Sequence, residues 1–129
     1  MIVREAKPGE EWEIVEFQLA MAHETERIEL DKATVKKGVA AVISDSAKGK
    51  YYVAEQDGKI IGSLLTTFEW SDWRNGTVLW IQSVYVLPDY RRKGVYRNMY
   101  SHLKEMVLKS DKLKGIRLYA DKSNHAASK

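Results

Sequence analysis

The sequence predicts a single α/β sandwich, and three features carry that expectation. Apolar runs of strand character alternate with segments of helical period, and an Asp57-Gly58 turn joins two of the runs into a hairpin. A third run passes a Pro88-Asp89 turn and a basic glycine loop and leads into an amphipathic helix. At 129 residues, 44% of them hydrophobic, the chain suits one packed core, so residues 1–129 are taken as one domain.

Ile2 to Ala6 reads as an edge strand closed by Pro8-Gly9. From Glu10 the period becomes helical, with Trp12, Val15, Leu19 and Ala22 on one face and Ile14, Phe17 and Met21 widening it. The periodicity fades through His23 to Arg27, which predicts a loop around Leu30 to Ala33. Thr34 then fits the N-cap of a second helix whose stripe is Val35, Val39, Val42 and Ile43. Tyr51 to Ala54 and Ile60 to Trp70 read as the hairpin strands. The second alternates Ile60, Leu64, Thr66, Phe68 and Trp70 against Ile61, Leu65, Thr67 and Glu69. After a turn at Ser71 to Gly76, Thr77 to Leu87 reads as a central strand. A helix with Val95, Met99, Leu103, Met106 and Val107 inward follows, and Gly115 to Ala120 forms one more strand. Asn124 is placed to cap a further helix.

The absence of cysteine excludes disulfides and a thiolate nucleophile. The N-terminus lacks the apolar run of a signal peptide or anchor, so the expectation is a cytoplasmic protein without membrane attachment. The net charge of +3 is the small difference between 21 basic and 18 acidic residues, and its distribution says more than its size. Glu10 to Asp31 is rich in carboxylates, whereas Arg91 to Lys114 is rich in cations. The basic cluster is short and has no stacking aromatics at nucleic-acid spacing, so no nucleic-acid partner is expected. His23, His102 and His125 have no metal-like spacing.

The segment Val84 to Val107 carries the chemistry. A strand, a positively charged glycine loop and a helix start place unpartnered backbone N–H groups and the positive end of the helix dipole together, which is an arrangement for binding phosphate. Arg91-Arg92-Lys93-Gly94-Val95-Tyr96, after an apolar strand with Pro-Asp-Tyr, resembles the acetyl-CoA motif of the GNAT superfamily of N-acetyltransferases. The element order fits that fold over residues 2–129. The resemblance implies an α+β fold in which a central mixed, mainly antiparallel sheet carries helices on both faces, with the last strands lacking.

The same resemblance implies direct attack of a primary amine, of a small molecule or a protein, on acetyl-CoA in a ternary complex. The pantetheine arm would pair with the strand at Val84, Tyr85 and Val86, and the pyrophosphate would rest on the amides from Arg92 through Gly94, Val95 and Tyr96 to Arg97. Arg91, Arg92 and Lys93 would supply mobile charge, and Asn124 would contact pantetheine. Tyr96 stands where many relatives have Gly or Ala, so its side chain must point away from the phosphates. Glu69 is the first candidate for the general base, at the end of a central strand, with Glu24 and Glu26 as others. Glu69 also fits an exposed or paired strand-end carboxylate. Glu24, Glu26, Glu29 and Asp31 also fit a solvated helix end or an electrostatic funnel for a cationic amine. Trp80 takes the position where some relatives carry a catalytic Glu and is expected in the core; Trp70 and Trp73 fit either core or an acceptor wall. The Tyr that relatives use to protonate the leaving thiolate falls past Lys129, so a C-terminally shortened form is expected. The edge strand Gly115 to Ala120 is then a candidate for homodimer pairing. A non-catalytic CoA-binding or interaction module of the same fold is the alternative.

Overall fold

The computed structural model describes residues 1–118. The expectations on Tyr119, Ala120 and Asn124 lie outside the described residues. The elements are β1 (Ile2–Glu5), α1 (Glu11–Glu26), α2 (Lys32–Ser44), β2 (Lys50–Gln56), β3 (Lys59–Ser71), β4 (Gly76–Val86), a 3-10 turn at Pro88–Tyr90, α3 (Val95–Lys109) and β5 (Leu113–Leu118). The strands lie in sequence order. The first three pairings are antiparallel and β4 with β5 is parallel, α3 forming the crossover.

Each face of the sheet has its own apolar layer. On one, α3 sets Val95, Tyr96, Met99 and Leu103 against Leu64, Leu79, Ile81, Val84 and Val86. On the other, α1 and α2 set Ile14, Val15 and Val39 against Tyr51 and Val53. The long central strands are therefore covered on both sides, which is why their sequences are apolar on both faces. Asp57 (φ 52°) and Gly58 (φ 79°) are consecutive left-handed residues, the backbone that a two-residue hairpin with the native strand twist requires.

Helix α1 runs past the point where its periodicity fades. It continues to Glu26 and closes on Arg27 in the left-handed region, with Arg27 N–H donating to His23 and Ile28 N–H to Ala22. The N-cap of α2 is Asp31 and not Thr34: the Asp31 carboxylate accepts from Thr34 N–H at 3.1 Å. An ionised carboxylate at the dipole's positive end outcompetes the Thr hydroxyl, and Thr34 becomes the third helical residue.

Two irregularities break the simple alternation. Ala54 pairs with Gly62 but Glu55 with Ile60, which makes Ile61 an extra residue on β3. Ile60 therefore faces the α1–α2 layer while Ile61 and Leu64 face α3, so Ile60 and Leu64 do not share a face as their spacing predicts. On β4, Tyr85 pairs with Ser63 and Gln82 with Leu65, so Ser83 and Val84 together oppose Leu64. Ser83 sits at φ 54°. The bulge keeps Val84 and Val86 on the α3 side with Leu79 and Ile81, and turns Tyr85 toward α1.

Candidate functional site

The site is built where β4 hands over to α3. Leu87 N–H donates to Ile61 across to β3 at 2.9 Å, so alternation along the strand turns the backbone groups of Val84 and Val86 to the opposite edge, the side on which β5 lies. The β4–β5 pairing extends to Ile81 with Leu118, and no described residue pairs with Val84 or Val86 there. The strand thus offers the backbone groups of Val84 and the N–H of Val86 without a strand partner among the described residues just past its bulge, while the Val86 carbonyl accepts from Arg91.

The chain then turns through Pro88–Tyr90 to Arg91 (φ −70°, ψ 152°), Arg92 (φ 63°) and Gly94 (φ 81°) and starts α3 at Val95. The left-handed residues Arg92 and Gly94 turn the chain sharply within four positions, and successive backbone N–H groups in such a turn can form an anion-binding nest. No side chain caps the start of α3 and no acidic residue lies in its first turn. Asn98 does not fill that role, because its amide donates to the carbonyl of Gly94. An anionic phosphate at this start would gain about 0.3–1 kcal/mol from the dipole, besides its hydrogen bonds. The ring of Tyr96 is buried in the α3 layer near Tyr100, away from the loop, and burial followed by the Tyr100 neighbour pushes its phenol up to about 12.

The basic residues divide into two kinds. Arg92, Lys93 and Arg97 are exposed, with the Lys93 ammonium 5.8 Å from the Tyr90 ring centre and Lys59 at the same distance. Arg91 is fixed and not mobile. Its Nε donates to the Val86 carbonyl at 2.9 Å, its Nη2 to Glu24 Oε1 at 2.7 Å, and its guanidinium lies 5.2 Å from the Tyr85 ring centre. The Tyr85 hydroxyl donates to Glu24 Oε2 at 2.6 Å, and Phe17 packs against the same ring at 5.3 Å. Burial by itself would raise the Glu24 carboxyl, but the hydrogen bonds from Tyr85 and Arg91 outweigh it and hold the group below its ordinary range. Tyr85 is pushed up to about 12, by burial first and then by the Glu24 carboxylate.

The candidate bases are not brought together. Glu24 has both oxygens engaged. Glu26 is exposed at the end of α1. Glu69 Oε2 accepts from Trp80 Nε1 at 3.0 Å, and Arg117 Nε lies 3.9 Å from its other oxygen. It pairs with Val78, four residues along β3 from the Leu65–Gln82 pair at the bulge, or about 13 Å of strand. Trp80 is half-buried, whereas Trp70 and Trp73 are exposed, Trp73 at 94%. Sequence reasoning missed the triad of Glu24, Tyr85 and Arg91, because residues more than sixty positions apart leave no local signal. Among the described residues no cluster of three His, Asp or Glu could hold a metal, and no helix is long and apolar enough to cross a membrane.

Residues 10–129 match the acetyltransferase (GNAT) family. The chain belongs to that family. A possible acetyltransferase from Clostridium difficile 630 is 43% identical, with 96% of this chain and 82% of that one covered and a TM-score of 0.88. Two more distant structures share the GNAT fold. A ribosomal-protein-alanine N-acetyltransferase from Brucella melitensis biovar Abortus 2308 has 15% identity, coverage of 94% and 80%, and a TM-score of 0.77. A predicted acetyltransferase with acetyl-CoA from Clostridium acetobutylicum has 18% identity, coverage of 96% and 83%, and a TM-score of 0.75. Comparison with curated proteins gave no match.

Proposed function

We propose that this GNAT chain is an N-acetyltransferase that takes acetyl-CoA and acetylates a primary amine within a ternary complex. One observation carries the reading: a strand end at Val84 and Val86 that no described strand covers on its outer edge runs directly into an uncapped helix start beside a basic, left-handed loop. Those groups fit the two polar parts of CoA, an amide-bearing arm and a pyrophosphate. Acetyl-CoA supplies the acetyl thioester. The amine nitrogen bonds to its carbonyl carbon, the C–S bond breaks, the sulfur leaves as thiolate and the nitrogen gives up a proton. The chain's part is to hold the reactants, donate an N–H near Val84 to the carbonyl oxygen and accept that proton. The C. acetobutylicum neighbour, named with acetyl-CoA, agrees with this ligand.

Calorimetric titration with acetyl-CoA, followed by an amine and polyamine screen for released CoA thiol, tests the reading. The protein contains no cysteine, so every thiol detected comes from CoA. Binding with thiol release on at least one amine is expected; no heat and no thermal shift at millimolar acetyl-CoA would refute it. A second reading, a CoA-binding module without catalysis, is favoured by the engagement of Glu24 with Arg91 and Tyr85 and of Glu69 with Trp80. Heat of binding without thiol release on any amine would select it.

A further inference from the structure

Arg91 links the end of β4 to the last turn of α1. Through Nε it holds the carbonyl of Val86, at the end of the strand that leads into the phosphate loop. Through Nη2 it holds Glu24, in the last turn of α1, and that turn opens the connection to α2 at Arg27 to Asp31. Tyr85 completes the link by donating to the second Glu24 oxygen while its ring lies beneath the guanidinium. The contacts to Glu24 are charge-assisted and two-sided, so the carboxylate is held in one orientation. A guanidinium carries five N–H groups, and the two bonds above leave others to meet an anion arriving at the loop.

We propose that Glu24 and Tyr85 are positioning residues that tie occupation of the cofactor loop to order in the last turn of α1 and the α1–α2 connection, acting through Arg91. The inference rests on the acetyl-CoA reading. An anion that fixes Arg91 lowers the freedom of the groups Arg91 holds, so the two regions share one free-energy coupling.

Hydrogen exchange of the full chain, read by mass spectrometry on peptides covering residues 22–31 and 88–98 with and without saturating CoA, tests the link. In the wild-type chain CoA is expected to slow exchange in both regions, at residues 22–31 by about fivefold or more. In Glu24→Ala the response at 88–98 persists and the response at 22–31 disappears. Glu24→Gln, whose amide oxygen still accepts from Arg91, restores part of it. Tyr85→Phe, which keeps the ring packing, weakens it. The quantity compared is the ratio with and without CoA within each variant, which loosening of the helix end alone does not remove. A wild-type response confined to 88–98, or an undiminished ratio at 22–31 in both Glu24→Ala and Tyr85→Phe, overturns the proposal. No response in either region together with no thermal shift overturns the acetyl-CoA reading, and this inference falls with it.

Discussion

Tyr85 and Glu24 meet at 2.6 Å, hydroxyl to carboxylate, although 61 positions separate them in the chain. The contact depresses the Glu24 carboxyl, and burial together with the Glu24 carboxylate raises the Tyr85 phenol, so the pair's contribution has a pH window. A depressed carboxyl stabilises the fold above its ordinary value of 4.5 and loses that contribution as pH falls through the folded value. A raised phenol stabilises below 10.0 and loses its contribution as pH rises toward about 12. Tyr85→Phe is therefore expected to cost about 1 kcal/mol at pH 7, a modest figure because Glu24 is partly exposed. Urea unfolding at pH 7 and at about pH 3 checks it. The deficit should shrink in acid, and an equal deficit at both pH values contradicts the assignment.

Arg4 makes a second three-residue knot, of a purely structural kind. Its Nη2 lies 2.7 Å from both Glu10 and Glu55, tying the turn before α1 to β2, and all three side chains are partly buried. The hydrogen bond from Arg4 holds the Glu10 carboxyl below its ordinary 4.5 against the opposing effect of burial. Arg4→Ala leaves Glu55 without its cation and Glu10 with only the Lys7 N–H, and should cost about 1.5–3 kcal/mol at pH 7. The exposed pair Lys48–Asp45 is the control, and Lys48→Ala should change stability by less than about 0.5 kcal/mol. Denaturant midpoints of the two variants decide the ranking, and equal losses would refute it.

Much of this architecture is written locally and some of it is not. The Asp57-Gly58 turn and the α3 stripe of Val95, Met99 and Leu103 follow from turn chemistry and helical period, and those three side chains are buried as the spacing predicts. The order of elements and the basic loop were legible for the same reason. Ile60 and Leu64 parted because an extra residue flips the faces of a strand without any mark in composition. Ser83, a polar residue in an apolar strand, carries no sign that its backbone is left-handed. The pairing of Arg91 with Glu24 depends on where α1 lies over the sheet, which only the packed layers determine.

Gly62 shows how closely β4 and α3 approach β3. A Cβ added there would lie 3.0 Å from the Tyr85 carbonyl oxygen and 3.3 Å from Val95 Cγ1, at the first residue of α3. The carbonyl is backbone and cannot turn aside, so Gly62→Ala must shift the strand or the helix start. The expected cost is about 1–3 kcal/mol, with weaker CoA binding, because the displaced atoms adjoin the proposed phosphate amides. Gly115→Ala, whose Cβ would meet nothing within 4 Å, should stay within about 0.5 kcal/mol of the parent. Thermal melts and CoA titrations of both variants test this, and wild-type CoA affinity in Gly62→Ala would count against the assigned helix start.

Ser83 tests whether the bulge organises the site. At φ 54° a non-glycine residue costs about 1–2 kcal/mol, part of which glycine recovers while losing entropy in the unfolded chain. Ser83→Gly should therefore be neutral or stabilising by up to about 1 kcal/mol, and CoA binding should survive. Ser83→Val is expected to cost about 1–3 kcal/mol, since a branched side chain fits the left-handed region poorly. Val also favours plain strand pairing. Removing the bulge would swing Val84 and Val86 to the α1 side and Tyr85 to the α3 side, breaking the contact of Tyr85 with Glu24. Urea unfolding, CoA titration and proton NMR of the tyrosine rings separate the two effects. If Ser83→Val keeps both stability and affinity, the left-handed bulge is not what orients the cofactor strand.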